Sequence, residues 1–429
     1  MLKSFSKEER SWIMYDWAQN VFSTIMMAAV FPVFFVSVAD GDGVSGSMWW
    51  AIGVAVARFV LGVAAPIIGT VVDFRGYKKR LLVIFIAFGI LALLFVSAQS
   101  SWQMLLIGYV LANMFWSAAN FVYDSYLPDV TTKDRMDKVS AWGFAMGYSG
   151  GSTIPFIFSL LLIVFGENIG IDGTLAVRIS VVITAVWWGI FCIPMLRDVH
   201  HKYGVEAPKK GFMKVTALNI WGTAKRIVKN KGMFIFIVAY FFYIDGVGTI
   251  INIATAYGAE LGLDMIGLVA AIFLTQFIAI PCTILFGRLA KTINPIKIIS
   301  GAICIYLVIC ITGFTMGFGL ESYWFDESVA IIMFWALAGM VGMVQGGIQA
   351  LSRSTFGRLV PPENAGEYFG FFEIFGRFAA ILGPALYALV LNTTGRPSFS
   401  VLSVSIIFLI GLTILLVGRK HLDVSIGSN

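Results

Sequence analysis

Twelve apolar stretches follow one another along the chain, near 12–38, 47–72, 81–99, 102–123, 139–165, 174–196, 233–258, 266–287, 296–318, 327–350, 367–391 and 398–418. A helix rising 1.5 Å per residue needs about 20 such residues to cross roughly 30 Å of hydrocarbon. Each stretch is long enough, so the expected solvent is lipid. The composition agrees: 59% of the 429 residues are hydrophobic, 13% are charged, and the mean hydropathy is +0.86. The pattern predicts an all-α membrane protein with twelve transmembrane helices. Short connectors separate the helices everywhere except at one long polar stretch, 197–231.

A net charge of +6 would suggest nucleic acid if the basic residues were clustered, but they lie between the apolar blocks. Counted by side, twenty-six Lys and Arg fall on one face and one, Arg396, on the other. Excess basic charge marks the cytoplasmic side, so both termini and the 197–231 loop are expected inside. The first span is too long for a cleaved signal, carries Asp16, and runs into an acidic GDG turn in place of a small-residue cleavage site. Cys192, Cys282, Cys304 and Cys310 lie in apolar segments without a CxxC pair, and His200, His201 and His421 fall in polar segments. Neither pattern offers a disulfide framework, a zinc site or an intramembrane imidazole relay. GxxxxGK[ST], HExxH and GxSxG are absent. No enzyme, cofactor or metal is therefore expected.

The chain repeats. MYDWAQNVFS around Asp16 aligns with YIDGVGTIIN around Asp245 at an offset of 229, and Gly147 with Pro155 aligns with Gly376 and Pro384 at the same offset. The expected division is a six-helix half at 1–196, a linker at 197–231, and a second, pseudo-symmetric half at 232–429. Transporters built from such repeats bind substrate near the bilayer midplane where the repeats meet and work by rocking. The linker's GFMKVTALNIWGTAKRIVKN is basic with apolar residues at helical spacing. It reads either as an amphipathic helix on the membrane surface or as a plain solvated linker. Pro155 and Pro384 are expected to kink their helices at equivalent places.

An ionisable side chain near the bilayer centre costs at least about 2.5–3.5 kcal/mol on insertion scales, so each needs a partner, a watery cavity or a function. Arg58, roughly 16 Å into the second span at helical rise, and Asp245 in the seventh belong at the midplane. Glu373 and Arg377 share one face of the eleventh span at four-residue spacing. Asp16 is shallower, about a turn from the cytoplasmic end. In a cavity, Arg58 or Arg377 would hold a carboxylate, while Asp245 or Glu373 would meet an ammonium or carry a coupling proton. Alternatively, Glu373 and Arg377 neutralise each other and Asp16 is a structural cap. Asn20, Asn120, Gln276 and Gln345 are further candidates for substrate contact, with interhelical hydrogen bonding as their competing role. Arg178 is expected to snorkel towards the headgroups, and Tyr15, Trp17, Tyr123 and Tyr126 fit either interfacial belts or cavity walls.

Gly69, Asp73, Gly76, Lys78 and Lys79 resemble the major facilitator superfamily's signature between helices two and three. The glycines permit close packing and a tight turn, and the Asp at a helix end can accept hydrogen bonds from a neighbouring helix terminus. Such a latch would gate one access state. Phe74 stands where that family usually has Arg. Longer strings, YDWAQNVFSTIMMAAVFPVFF at 15–35, NFVYDSYLPDV at 120–130, YIDGV at 243–247 and GGIQALSRSTFGRLVPPENAGEYFGFFEIFGRFAAILGP at 346–384, resemble the vacuole effluxer, autophagy-related branch. The resemblance implies the twelve-helix major facilitator fold and, from fungal members, amino-acid export from a storage compartment.

The expectation is a secondary transporter working by alternating access on amino acids or similar small zwitterionic or anionic solutes, with proton coupling available on membrane carboxylates. The alternatives are an exporter or flippase-like transporter of amphipathic or lipid-like compounds, and a non-transporting membrane sensor. Expected partners are the solute, protons and the lipid bilayer, with no nucleic acid and a monomeric state. Short termini without targeting segments favour a bacterial inner membrane.

Overall fold

The computed structural model of the protein describes residues 4–208, 210–260 and 265–427. Lys3 and Lys209, two of the twenty-six basic residues counted on one face, lie outside them. The chain is helical, with spans at Lys7–Gly41, Gly46–Asp73, Tyr77–Ser97, Trp102–Ser125, Met136–Ile169, Gly173–Asp198, Lys231–Ala254, Ala270–Leu289, Pro295–Glu321, Glu327–Leu359, Pro362–Thr394 and Pro397–Asp423. All twelve coincide with the apolar stretches of the sequence. A further helix, Phe212–Lys229, occupies the linker. Large apolar side chains such as Phe59, Leu91 and Val417 are exposed along the spans. A bilayer covers such faces, while the helices satisfy their own backbone groups.

Spans one, five and eleven are interrupted near their middles, and the interruptions in five and eleven follow the repeat. Span five is helical over Met136–Met146, passes through a π-helical segment, Gly147–Ser152, and restarts at Thr153–Phe165. Span eleven is helical over Ala365–Ala379, breaks, and restarts at Leu382–Thr394. Pro155 and Pro384 are each the third residue of the restarting helix. A proline there cannot donate to the preceding turn, so the ladder is broken at matching places in both repeats. Span one runs through a π-helical segment, Ser23–Ala29, before resuming at Phe31 with Pro32 in its first turn, where the missing N–H has no partner to lose. Its start is fixed by a capping box: Glu9 N–H donates to Ser6 Oγ at 3.1 Å and Ser6 N–H to Glu9 Oε2 at 2.8 Å.

The chain divides into two compact units. The first contains Met1–Thr132, Met146–Gly222 and Val360–Glu373, and the second contains Lys133–Ala145, Thr223–Leu359 and Ile374–Asn429. In the first unit, the span-five glycines accept span one: a Cβ at Gly150 would lie on the Trp17 ring, and one at Gly147 on the Asn20 amide. Its core is aromatic, with Tyr123 stacked on both Trp12 and Tyr15 at 4.5 Å and Phe22 on Trp116 at 4.9 Å. In the second unit, Gly342 admits span eight, the Thr275 carbonyl standing 2.7 Å from where a Cβ would be, and Tyr306 stacks on Phe408 at 5.0 Å.

Candidate functional site

The first unit encloses a carboxylate in its first span. Asp16 is buried, accepting the Tyr123 hydroxyl on Oδ2 at 2.8 Å and the Gln19 amide on Oδ1 at 3.1 Å. Gln19 Oε1 in turn accepts Asn120 Nδ2 at 3.0 Å, and Asn20 Nδ2 donates to the Asp16 carbonyl at 3.0 Å. Asp16 and Asn20 are one helical turn apart, while Asn120 and Tyr123 come from span four, so the two spans share one polar network. Three of the sequence candidates, Asp16, Asn20 and Asn120, thus meet, joined by Gln19 and Tyr123. Tyr15, Tyr123 and Tyr126 are buried. They are interior residues and form no interfacial belt. Arg58 is half-buried midway along span two.

The loop after span two forms a second cluster. Asp73 is buried, and its two oxygens accept the backbone N–H groups of Gly366 and Glu367 at 2.7 and 2.8 Å, in the first turn of span eleven's first helix. A carboxylate there satisfies orphan donors and favours the helix dipole. Gly69 allows the approach, since a Cβ on it would strike the Gly366 carbonyl. Gly76 takes a left-handed φ of 82° at the turn, which glycine adopts without strain. Lys78 is fully buried, donating to Asp129 Oδ2 at 2.7 Å and to the Ser125 carbonyl at 2.9 Å, and lies 4.6 Å over the Tyr126 ring. Lys79 is half-buried beside it.

The linker's start straps this loop. Val205 N–H donates to the Asp73 carbonyl at 3.0 Å, Arg75 N–H to the Val205 carbonyl at 2.9 Å, and Asp129 Oδ1 accepts the N–H groups of Lys202 and Tyr203 at 2.8 and 3.0 Å. Phe74, at the centre of this pairing, is buried. Its departure from the superfamily's Arg therefore has a structural use: an apolar side chain goes inward while Arg75 Nε reaches the Gly204 carbonyl at 3.0 Å. His201 packs edge-on to Tyr126. Burial, followed by the Lys78 charge, pulls its imidazole down to about 4, against the attraction of Asp129.

The second unit holds a buried carboxylate in span seven. Asp245 Oδ2 accepts the Gly383 N–H at 2.7 Å, at the start of span eleven's second helix. Gln276 Oε1 and Gln345 Nε2 are sealed from solvent with no hydrogen-bond partner among the described residues. Arg377 is half-buried in this unit, as is Glu373 in the first. Another cluster ties the start of span five to the end of span ten: Asp137 pairs with Arg358 and accepts Ser354 Oγ at 2.6 Å, while Arg353 Nε donates to Ser140 Oγ at 2.9 Å and Ser140 Oγ to the Ala350 carbonyl at 2.8 Å.

Sequence reasoning passed over Asp129, Asp137, Arg353 and Arg358, treating them as loop charges or as parts of longer strings. The available signal was their position just past span ends, where a charge can cap or pair without entering lipid. Among the described residues, no group of three His, Cys, Asp or Glu could hold a metal ion.

Residues 49–421 match the family described as vacuole effluxer Atg22 like. The MFS-type transporter YxiO of Bacillus subtilis strain 168 is 41% identical over 423 residues, covering 97% of this chain and 95% of that protein. Autophagy-related protein 22-2 of Aspergillus clavatus is 26% identical over 63% of this chain, and the chain spans about half of such fungal relatives, 46% in that case. In fold, the chain is similar to a bacterial ferroportin homologue in an outward-facing state, with a TM-score of 0.67, 12% identity and coverage of 96% and 99%. It is likewise similar to the proton:xylose symporter XylE, with a TM-score of 0.66, 11% identity and coverage of 96% and 94%. With its twelve spans, major facilitator architecture and a match over most of its length, the chain belongs to the Atg22-like vacuole effluxer family and is a multi-pass transporter of the major facilitator type.

Proposed function

We propose that the protein moves amino acids or similar small zwitterionic or anionic solutes across a bacterial inner membrane by alternating access, with both termini cytoplasmic and a proton carried on membrane carboxylates. The observation that carries this reading is the sealed carboxylate within a span of each unit, Asp16 at 2% exposure and Asp245 at 1%. Both stand at the same position of the repeat. A carboxylate within a membrane span is costly to keep, so its presence points to a function, and the two glutamines with unused polar atoms in the second unit favour a polar lining. In this reading Arg58 and Arg377 hold the solute carboxylate. Asp245 and Glu373 meet its ammonium or the proton, and Asn20, Asn120, Gln276 and Gln345 orient it. Asp16, held by two donors, positions span four through Tyr123. Gly69, Asp73, Gly76, Lys78 and Lys79 gate: breaking the two N–H bonds at Asp73 would free span eleven's first helix.

Proteoliposomes loaded with a mixed panel of amino acids and small peptides test this by counterflow of a labelled neutral amino acid. Saturable exchange that acidification of one side alters is the expected result. With folded and correctly inserted protein, absence of exchange for the whole panel would overturn the amino-acid reading.

A further inference from the structure

The sixth span carries a stripe that the transport reading leaves unused. A cavity of about 550 Å³ lies along span six, bordered at one end by Arg178 and by Ser97, the last residue of span three, and continued by Val182, Val186, Trp187 and Phe191. The span-six positions recur at three- and four-residue spacing, so they form one helical face. From Arg178 to Phe191 that face runs ~20 Å at helical rise, somewhat more than the ~15 Å hydrocarbon depth of one leaflet. Val186 is 50% exposed and Ile190, which also borders the cavity, 54%, so the groove opens to whatever surrounds the spans. Within a bilayer that is lipid.

One end of the groove is charged. Arg178 is half-buried, and its Nη2 donates to the Gln99 carbonyl at 3.0 Å and to Ser100 Oγ at 2.8 Å. These contacts fix the guanidinium beside the connector between spans three and four. A guanidinium carries five N–H donors in a planar fork suited to phosphate; Nη2 makes both contacts and Nε is sealed from solvent, which leaves Nη1 for a ligand. The connectors on this side of the chain hold one basic residue, Arg396, against twenty-six on the other. An anionic headgroup in that leaflet would therefore find few competing cations.

We infer that this groove is a binding site for one anionic phospholipid of the leaflet opposite the basic loops, with its phosphate on Arg178 and an acyl chain along Val182, Val186 and Phe191. The inference is independent of the cargo. Trp187 also donates to the Trp17 carbonyl at 3.1 Å, so a lipid seated there would press on the wall that packs against span one.

Native mass spectrometry of the detergent-solubilised full chain, titrated with phosphatidylglycerol and with phosphatidylcholine, is the test. The expected result is one retained phosphatidylglycerol, favoured about tenfold over phosphatidylcholine, because both offer a phosphate but only phosphatidylcholine brings a quaternary ammonium close to the guanidinium. Arg178→Gln should bring the two lipids level, and Arg178→Lys should keep the preference. Val186→Trp, which fills the groove from a lipid-facing position, should lower retention of both while leaving thermal melting unchanged. Equal retention of both lipids by the wild type overturns the proposal. So does undiminished phosphatidylglycerol on Arg178→Gln, or displacement of the lipid by millimolar inorganic phosphate, which would mark a site for phosphate alone.

Discussion

A lysine ammonium shut off from water needs an anion and hydrogen-bond acceptors at close range, and Lys78 has both, in Asp129 and the Ser125 carbonyl. Removing one partner of such a pair strands a buried charge and typically costs about 3–5 kcal/mol, whereas replacing both with apolar residues is often neutral. We therefore expect Lys78→Met and Asp129→Asn each to lower thermal stability in detergent by that amount, and the two combined to recover most of it, since an Asn oxygen can still accept the Lys202 and Tyr203 N–H groups. If the double variant is as unstable as the sum of the singles, the pair does more than neutralise itself. Arg58 is half-buried in the interior of span two, in a stretch where the sequence places no acid within a helical turn. Arg58→Ala should abolish solute flux while leaving the protein folded and inserted. Wild-type flux in that variant would remove Arg58 from the transport site.

Between elements, the linker strap has a built-in dependence on pH. His201 is held near 4 in place against an ordinary 6.5, by burial and by Lys78 and Arg75, with Asp129 opposing and the Tyr126 ring alongside. Between those values the released strap binds a proton that the docked strap refuses. Docking is therefore fully favoured above pH ~6.5 and weakens as pH falls towards 4. Hydrogen exchange at the Val205 amide, corrected for the intrinsic rate, should accelerate over that window in the wild type, and His201→Leu should abolish the acceleration. An identical pH profile in the variant would exclude His201 as the cause. The strap also marks where sequence reading stops. The helix breaks before Pro155 and Pro384 could be read because proline acts on its own turn and the 229-residue repeat doubles the signal. Nothing local points from Asp129 to Lys202, 73 residues away, or from Phe74 to Val205, since neither pairing leaves a period in the chain. Tyr15 and Tyr123 show the related ambiguity: an aromatic near a span end suits the headgroup region and a stacked core equally, and only the packing decides.

At the scale of the whole chain, the twelve spans were legible because the bilayer sets a length that each apolar run must meet. The partition into compact units was less so. Segments 133–145 and 360–373 each belong to a unit otherwise drawn mainly from the opposite half of the sequence. Their anchors are single carboxylates, Asp137 on span ten's Arg358 and Ser354, and Asp73 on the Gly366 and Glu367 amides. Each anchor joins residues from opposite halves of the sequence, so a transport cycle that rocks those halves would have to break and re-form it. The second unit offers a direct reporter: Ser140 is fully buried and bonded to Arg353 and the Ala350 carbonyl. A Ser140→Cys variant should resist a membrane-impermeant maleimide at rest. Adding Asp137→Asn removes the charge that faces Arg358, and a shift of about 1.4 kcal/mol in the closed population would raise the labelling rate tenfold. Transported solute should raise it as well, by cycling the same contact. Labelling that is slow and unchanged by both Asp137→Asn and solute would mean that the contact stays shut throughout transport, and the gate would have to be sought elsewhere.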